Sequence, residues 1–263
     1  MTGFDAGNVR LRLTLRDDVV AAVAVSCERP DVAAALAGRP ADEAVSLVPL
    51  IYSLCGQAQG VAARAALAAA RGSATARYVD AAVAAEAMRE HAWKLLVDWP
   101  RQLGVVVADE ADFVRVARTQ PGAGAALAGE LRAHPLFAAM AATLAPEGID
   151  AVLAERIGAR RDELIALLGG GATAAGSVAA EPLEAGRGRA TVETARGTLT
   201  HEISLAGERI AAYRIVAPTD RLFGPDGPLP GLLTGTQKVG AGGTAQRAVM
   251  ALDPCVPWEL ELV

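Results

Sequence analysis

The sequence is poor in cysteine, in aromatic residues and in lysine. Its 263 residues include three cysteines, and phenylalanine, tryptophan and tyrosine together make up 4%. So small and odd a number of cysteines argues against the disulfide framework of small secreted proteins. Lys94 and Lys238 are the two lysines, and acidic residues outnumber basic ones by 30 to 25. This balance argues against a nucleic-acid-binding protein, which would carry a basic surface.

Long uninterrupted hydrophobic stretches are also missing. No run of about eighteen uncharged apolar residues occurs, so we expect no membrane span. The N-terminal segment MTGFDAGNVRLRL lacks the apolar core of a secretory signal, and free cysteines suit a reducing compartment, so a cytoplasmic protein is expected. The hydrophobic fraction of 52% is too high for a disordered chain, and the length allows a sizeable core.

Hydrophobic periodicity indicates an α+β protein. Residues 8–27 alternate in hydrophobicity around the polar pair Asp17-Asp18, which predicts a β-hairpin. Helices are predicted over the segments 31–38, 41–52, 59–71, 78–98, 121–144, 148–168 and 245–252. Further strands are predicted over 189–193, 198–206 and 208–216, and a loop over 217–243.

These segments predict one domain over residues 1–263. A hairpin and helices fill residues 1–168, and a flexible linker rich in small residues follows at about 169–188. Strands and a terminal turn occupy residues 189–263.

Two of the three cysteines lie in turns with informative neighbours. Cys55 precedes Gly56 and an alanine-rich helix, whose N-terminal dipole would favour the thiolate, the metal-binding form. Cys255 follows Pro254, which fixes the approach of the chain. The alternative is that both are buried small hydrophobic residues, the common state of free cysteine. Cys27, at a strand end without a motif, is expected to be a core residue.

The segments around these two cysteines resemble the metal-binding motifs of nickel–iron hydrogenase large subunits. The Cys55 segment resembles R-x-C-G-x-C-x-x-x-H, and the DPC that ends at Cys255 resembles D-P-C-x-x-C-x-x-H. VETARGTLTHEI resembles the family's E-A-P-R-G segment, RIVAPTDRLFGPDGPL its P-T-x-W-N loop, and NVRLRLTL its opening hairpin. The resemblance implies a truncated large-subunit-like fold, with a central helical bundle and small β elements from both ends of the chain.

Both motifs are incomplete. Ala58 and Trp258 stand at the positions of the second cysteines, Ala62 and Glu261 at those of the histidines, and Ser53 at that of the arginine. A nickel–iron centre needs four thiolates, so we expect neither nickel nor enzymatic activity. This degenerate pattern, together with REHAWKLLVDWP, resembles the HupK/HoxV family of hydrogenase maturation proteins.

The resemblance implies a scaffold that transiently holds the fragment Fe(CN)2(CO) and passes it to the hydrogenase large subunit, with other maturation proteins as partners. Cys55 and Cys255 would be the metal ligands, because soft thiolates suit this iron. The three histidines lack metal-ligand spacing, and His201 is expected to be structural. Two alternatives remain open: a metal-free structural or interaction chaperone for the large subunit, and an enzyme with an active thiol.

The resemblance also implies polar groups around the cargo. Arg196 would donate to a cyanide nitrogen, or else form a surface ion pair. Pro218 and Thr219 would line the cyanides, or else form an ordinary turn. Asp253 would hold Arg196 or cap a helical turn, and Glu193 would fix the Arg196 loop or be a solvated strand residue.

Overall fold

The computed structural model describes residues 7–52, 54–106 and 110–263. Ser53 and the first six residues of the N-terminal segment, on which two of the interpretations above fall, lie outside the described residues. The strands are β1 (Asn8–Arg16), β2 (Val19–Glu28), β3 (Ala76–Val79), β4 (Ser177–Glu184), β5 (Arg187–Thr194), β6 (Gly197–Ala206), β7 (Arg209–Val216) and β8 (Trp258–Leu262).

Helices account for most of the remaining elements. They are α1 (Val32–Leu36), α2 (Ala41–Ile51), α3 (Gly56–Ala70), α4 (Ala81–Trp93), α5 (Trp99–Gln102), α6 (Ala111–Arg118), α7 (Ala125–Arg132), α8 (Pro135–Ala141), α9 (Gly148–Gly169), α10 (Pro218–Leu222), α11 (Leu229–Leu233) and α12 (Ala241–Leu252). A π-helical segment, Lys94–Asp98, joins α4 to α5. The α+β class is therefore confirmed. Among the described helices, none has the length and hydropathy that a membrane crossing requires.

The described chain forms two compact units. The first unit contains the described residues up to Pro30, with Ala138–Ala159 and Pro218–Val263. The second unit contains Asp31–Phe137 and Arg160–Ala217. Two of the four boundaries fall within α8 and α9, and the other two precede Asp31 and Pro218. The organisation of residues 1–263 as one domain stays a prediction.

The first unit is built on a three-stranded sheet in the order β2-β1-β8. The predicted hairpin is confirmed, since β1 pairs antiparallel with β2. Its turn places Asp17 and Asp18 at φ values of 50° and 59°, the left-handed region that tight hairpins demand and that aspartate tolerates. Strand β8 adds to β1 in parallel. Alternate residues of β1, Val9 and Leu11 among them, are fully buried against α11 and α12.

The second unit is built on a five-stranded antiparallel sheet in the order β3-β4-β5-β6-β7. Helix α3 packs on this sheet through its alanines, which allow a close approach of the two backbones. The approach is closest at Gly188 of β5, where an added Cβ would lie 2.3 Å from the backbone nitrogen of Ala70. Glycine is therefore required at this position.

The predicted flexible linker at about 169–188 is wrong over its second half. Residues Ser177–Glu184 form β4, and β5 begins at Arg187. Val178 and Ala180 of β4 are buried in the core, so the small residues here fit beneath packed helices and do not confer flexibility. The loop predicted over 217–243 likewise contains the short helices α10 and α11.

Two predicted helices have different limits. The helix predicted over 78–98 begins at Ala81, because the Asp80 carboxylate accepts the backbone N–H groups of Ala82 and Val83. It continues through the π-helical segment into α5, and the backbone of Asp98 and Trp99 stays in the helical region before Pro100. The helix predicted over 121–144 is divided into α7 and α8, and Pro135, which has no N–H group, is the first residue of α8.

Candidate functional site

Cys55 lies in the second unit, immediately before α3. It is the N-cap residue of that helix and is half-buried. The following Gly56 packs against the end of α2, where an added Cβ would lie 2.8 Å from the carbonyl oxygen of Pro49. The Cys-Gly sequence thus reflects a close contact that admits no side chain after the cysteine.

A carboxylate binds the exposed N–H groups at the start of α3. Glu86 of α4 accepts hydrogen bonds from the backbone N–H groups of Gln57 (2.8 Å) and Ala58 (3.2 Å). Burial raises the pKa of Glu86, and these two N–H groups oppose that rise. Glu86 therefore satisfies donors that the end of the helix leaves unpaired, two residues from the Cys55 thiol.

A buried chain of side chains runs from Cys55 across the second unit. Gln59, one turn along α3, places Nε2 3.8 Å from Cys55 Sγ and Oε1 2.9 Å from Nε2 of His201. Nδ1 of His201 lies 2.9 Å from the hydroxyl of Tyr213 on β7. Gln59 and His201 are fully buried. We call Cys55, Gln59, His201 and Tyr213 the Cys55 relay.

Burial sets the charge of this relay. It lowers the pKa of His201 to about 3, so the ring is neutral at physiological pH. It raises the pKa of Tyr213, with a smaller contribution from Tyr52, so the phenol keeps its proton. The relay is therefore a chain of neutral groups that ends at a sulfur.

Arg196 lies in the turn between β5 and β6 of the second unit and forms a buried ion pair. Its Nη2 is 2.6 Å from Oε1 of Glu90 on α4, and the two side chains are 7% and 12% exposed. The ion pair foreseen as the alternative role is thus present, but in the interior. Glu193 stands near the end of β5 and accepts the Thr198 hydroxyl (2.7 Å), which links the two strands that carry the turn. Thr194 Oγ1 accepts the Arg196 backbone N–H (3.2 Å).

Cys255 lies in the first unit, just after α12. That helix ends at Asp253, which is 2% exposed, has a left-handed φ of 50° and donates its N–H to the carbonyl of Val249 (2.7 Å). Pro254 follows and cannot extend the helix. Asp253 therefore ends the last turn of α12 through its backbone and points the chain toward Cys255.

A threonine hydroxyl contacts the Cys255 sulfur directly. Thr219 of α10 is 1% exposed, and its Oγ1 lies 3.2 Å from Cys255 Sγ. The same oxygen accepts the backbone N–H of Cys255 at 3.2 Å, so the hydroxyl proton is directed at the sulfur. Pro218 is the first residue of α10. The Pro-Thr pair thus opens a helix and holds the cysteine turn.

Cys27, expected to be a core residue, belongs to the same neighbourhood. It is half-buried near the end of β2, in register with Val9. Burial raises its pKa, as do Asp220 and Cys255, whereas Arg29 lowers it. Arg29 in turn donates to Asp220 at 2.9 Å. The first unit therefore brings a second thiol and a charged pair into the surroundings of Cys255.

The positions where the two motifs would carry further metal ligands hold side chains with structural roles. Ala58 and Ala62 are fully buried and pack in the core of the second unit. Trp258 and Glu261 belong to β8 of the first unit, where Glu261 accepts a hydrogen bond from Arg12 at 2.8 Å. Within residues 7–52, 54–106 and 110–263, no group of three or more His, Cys, Asp or Glu side chains is arranged to hold a metal ion.

Each unit thus holds one motif cysteine and its share of the predicted polar residues. Cys55, Arg196 and Glu193 lie in the second unit, and the first unit holds the following: Cys255, Pro218, Thr219 and Asp253. Sequence reasoning missed Gln59, Glu86, Glu90, Tyr213 and the neighbourhood of Cys27. The one signal for any of them was an amide side chain, Gln59, inside an otherwise alanine-rich apolar helix.

Comparison of the sequence with curated proteins identifies relatives in several bacteria. The hydrogenase expression/formation protein HupK of Rhodobacter capsulatus is 30% identical, over 89% of this chain and 92% of that protein. HupK of Azotobacter vinelandii is 27% identical, over 98% and 99%. HoxV of Cupriavidus necator is 36% identical, over 40% and 32%. No protein-family model matches the chain.

Comparison with solved structures identifies the fold. The Ni-Fe-Se hydrogenase of Desulfovibrio vulgaris Hildenborough matches with a TM-score of 0.63 and 12% identity, over 92% of this chain and 94% of that one. An NAD+-reducing [NiFe]-hydrogenase matches with a TM-score of 0.53 and 14% identity, again over 92% and 94%. The predicted likeness to the hydrogenase large subunit is therefore confirmed as a matter of fold.

Proposed function

Because the chain belongs to the family of hydrogenase expression/formation proteins named HupK and HoxV, we propose that it is a non-catalytic scaffold in the cytoplasmic maturation of [NiFe]-hydrogenase. Its cargo is the fragment Fe(CN)2(CO), bound transiently through the thiolates of Cys55 and Cys255. The scaffold receives the fragment from other maturation proteins and passes it to the hydrogenase large subunit. It binds no nickel.

One observation carries this proposal: a single half-buried thiol remains in each of two otherwise degenerate metal motifs. The alanines that replace the donors of the first motif are sealed in the core. Glu261, which stands at the histidine position of the second motif, forms an ion pair with Arg12. Two cysteines with a packing role alone would not be expected to coincide with one cysteine position in each motif.

The chemistry of the remaining donors suits this cargo. Iron that already carries two cyanides and one carbonyl needs few protein ligands, and soft thiolates are appropriate ones. A common iron requires the two sulfurs to come within roughly 3–4 Å of each other, given metal–thiolate bonds near 2.3 Å. Arg196 carries further N–H groups besides the one that binds Glu90, and these are of the kind that bind cyanide nitrogen, whereas the Thr219 hydroxyl donates to Cys255 Sγ. Two thiolates, where the catalytic site has four, also leave fewer bonds to break on transfer.

The second candidate is a metal-free chaperone for the large subunit. It is favoured by the lack, in the described part of the chain, of any cluster of three or more metal-binding side chains. This candidate requires the fold and the surface of the protein but neither thiol.

Infrared spectroscopy separates the two candidates. The full-length protein is produced together with the hydrogenase maturation proteins and purified without oxygen. We expect carbonyl and cyanide bands with bound iron, and two sulfur neighbours per iron in X-ray absorption. Both signals should be lost in Cys55→Ala and in Cys255→Ala, and retained in the control Cys27→Ala. Maturation that persists in the double variant but fails on deletion of the protein would establish the metal-free chaperone instead.

A further inference from the structure

In the structure the Cys55 relay runs in one direction and ends in a hydrogen bond to the sulfur. We propose that Gln59, held in place by His201 and Tyr213, is a positioning residue that directs one amide N–H at Cys55 Sγ and thereby tunes the bond from this sulfur to the iron fragment. The tuning of the iron rests on the proposed function. The direction of the relay does not, because it follows from groups within the second unit.

The direction follows from the histidine. A neutral imidazole has one N–H group, so one ring nitrogen donates and the other accepts. Nδ1 of His201 faces the hydroxyl of Tyr213 at 2.9 Å, and Nε2 faces Oε1 of Gln59 at 2.9 Å. An amide oxygen only accepts, so Nε2 carries the proton and Nδ1 accepts from the phenol.

The orientation of the amide completes the chain. With Oε1 of Gln59 bound to His201, Nε2 is the atom that faces Cys55, 3.8 Å from Sγ. The order of donation is Tyr213 to His201, His201 to Gln59, and Gln59 to the sulfur. A rotated amide would require the other tautomer of His201 and would turn an oxygen toward Cys55 Sγ, where a thiolate has no proton to give it. That oxygen would be buried without a donor, which is costly.

A hydrogen bond to a thiolate draws electron density from the sulfur, and such bonds tune metal–sulfur centres. The carbonyl of the cargo reports this effect. An iron with more electron density donates more of it into the carbonyl, which lowers the carbonyl stretching frequency. Loss of the Gln59 N–H should therefore move the carbonyl band to lower wavenumber. A residue that only fills space would leave the band where it is.

The first measurement uses the metal-free protein and tests the relay alone. Nitrogen-15 NMR of the His201 ring at neutral pH distinguishes the two neutral tautomers. In the unaltered chain we expect only the form protonated at Nε2. Tyr213→Phe removes the donor to Nδ1, so the tautomer protonated at Nδ1 should appear beside it. The matched control is Tyr78→Phe, whose ring is 45% exposed on β3. A proton on Nδ1 in the unaltered chain would overturn the proposal.

The second measurement uses the protein loaded with Fe(CN)2(CO). Gln59→Leu should lower the carbonyl stretching frequency, and Tyr213→Phe should do so by a smaller amount with the fold intact. The control is Gln57→Leu, an exposed glutamine of the same helix. Unmoved bands in both relay variants would refute the tuning role. If these bands are absent from every preparation, including the unaltered chain, the proposed cargo is wrong. The His201 tautomer still decides the direction of the relay in that case.

Discussion

The two motif cysteines are supported in different ways. Cys55 lies at the end of a chain of neutral side chains that crosses its unit, with Gln59 Nε2 3.8 Å from the sulfur. Cys255 meets a single hydroxyl, Thr219, whose neighbour Asp220 is engaged by Arg29. The Cys55 sulfur is therefore supported through a chain of side chains, and the Cys255 sulfur by one direct contact with a hydroxyl of α10.

The motif positions without a metal ligand also differ between the two units, in burial and in secondary structure. In the second unit the former donors are alanines inside a packed core, as at Ala62. In the first unit they are strand residues, of which Glu261 forms an exposed ion pair with Arg12. The positions that the motifs give to metal ligands are thus packed in the core of one unit and lie at the surface of the other.

The largest expected effect lies in the buried ion pair of the second unit. Arg196→Ala leaves the Glu90 carboxylate without this partner in the interior and should lower the free energy of unfolding by about 3–5 kcal/mol. Arg12→Ala, which breaks the exposed pair in the first unit, should cost at most about 1 kcal/mol. Urea unfolding of the two variants measures both, and equal losses would contradict the contrast between the units.

Restoring the lost histidines tests the vacated positions. Ala62→His inserts a polar ring into a site that is 0% exposed and should destabilise the protein by about 3 kcal/mol. Glu261→His changes a half-buried strand position and should cost less than about 1 kcal/mol. Thermal unfolding compares the two. If Ala62→His left the stability unchanged, the first motif would be able to hold a histidine at this position without repacking of the core.

Acid should weaken the second unit through Glu163. Burial alone would raise the pKa of this carboxyl, but the hydrogen bond and charge of His91, with the Thr173 hydroxyl, lower it to about 2. An acid whose pKa falls on folding stabilises the fold above its unfolded value, and that contribution disappears as the pH drops. Between about pH 5 and pH 2 the unaltered protein should lose about 2–3 kcal/mol more than Glu163→Gln.

Denaturant unfolding across this pH range measures the difference. Cys27→Ser in the first unit serves as the control, since burial raises the pKa of that thiol and its effect on stability belongs to alkaline solution. If the free energies of unfolding of Glu163→Gln and of the unaltered protein fell equally with pH, the prediction would be wrong.

The smallest expected effect concerns the hydroxyl beside Cys255. Thr219→Val keeps the shape of the side chain but removes the acceptor for the Cys255 N–H, which should cost about 1 kcal/mol. Chemical denaturation measures the loss, and Thr198→Val, which removes a strand hydroxyl in the second unit, is the matched comparison. A neutral Thr219→Val would show that the turn holds Cys255 without its hydroxyl.

Local patterns predicted most of the elements that alternate or repeat within a short segment. The hairpin, α9 and the run from β5 to β7 follow directly from hydrophobic periodicity. The strand β4 was missed because its alanines and glycine neighbours match a flexible loop as well as a strand under a helix. Small residues specify a conformation only through what packs on them.

The partners within the candidate site could not be predicted from the sequence. Gln59 and His201 are separated by 142 positions, and Arg196 and Glu90 by 106. No periodicity records such pairs, because a hydrogen bond between distant segments depends on the completed fold. A buried amide in an alanine-rich helix was the visible trace, since such a group needs a partner.

The parallel pairing of β1 with β8 separates the two thiols in the order of synthesis. Arg12 and Glu261, which meet across this pairing, are 249 positions apart, whereas every residue of the second unit precedes Pro218. During synthesis the relay of Cys55 has all of its residues before α12 has been made. Until β8 arrives, β1 remains an open edge, and contacts between such distant segments form slowly. The surroundings of Cys255 are therefore complete only after β8 has been made.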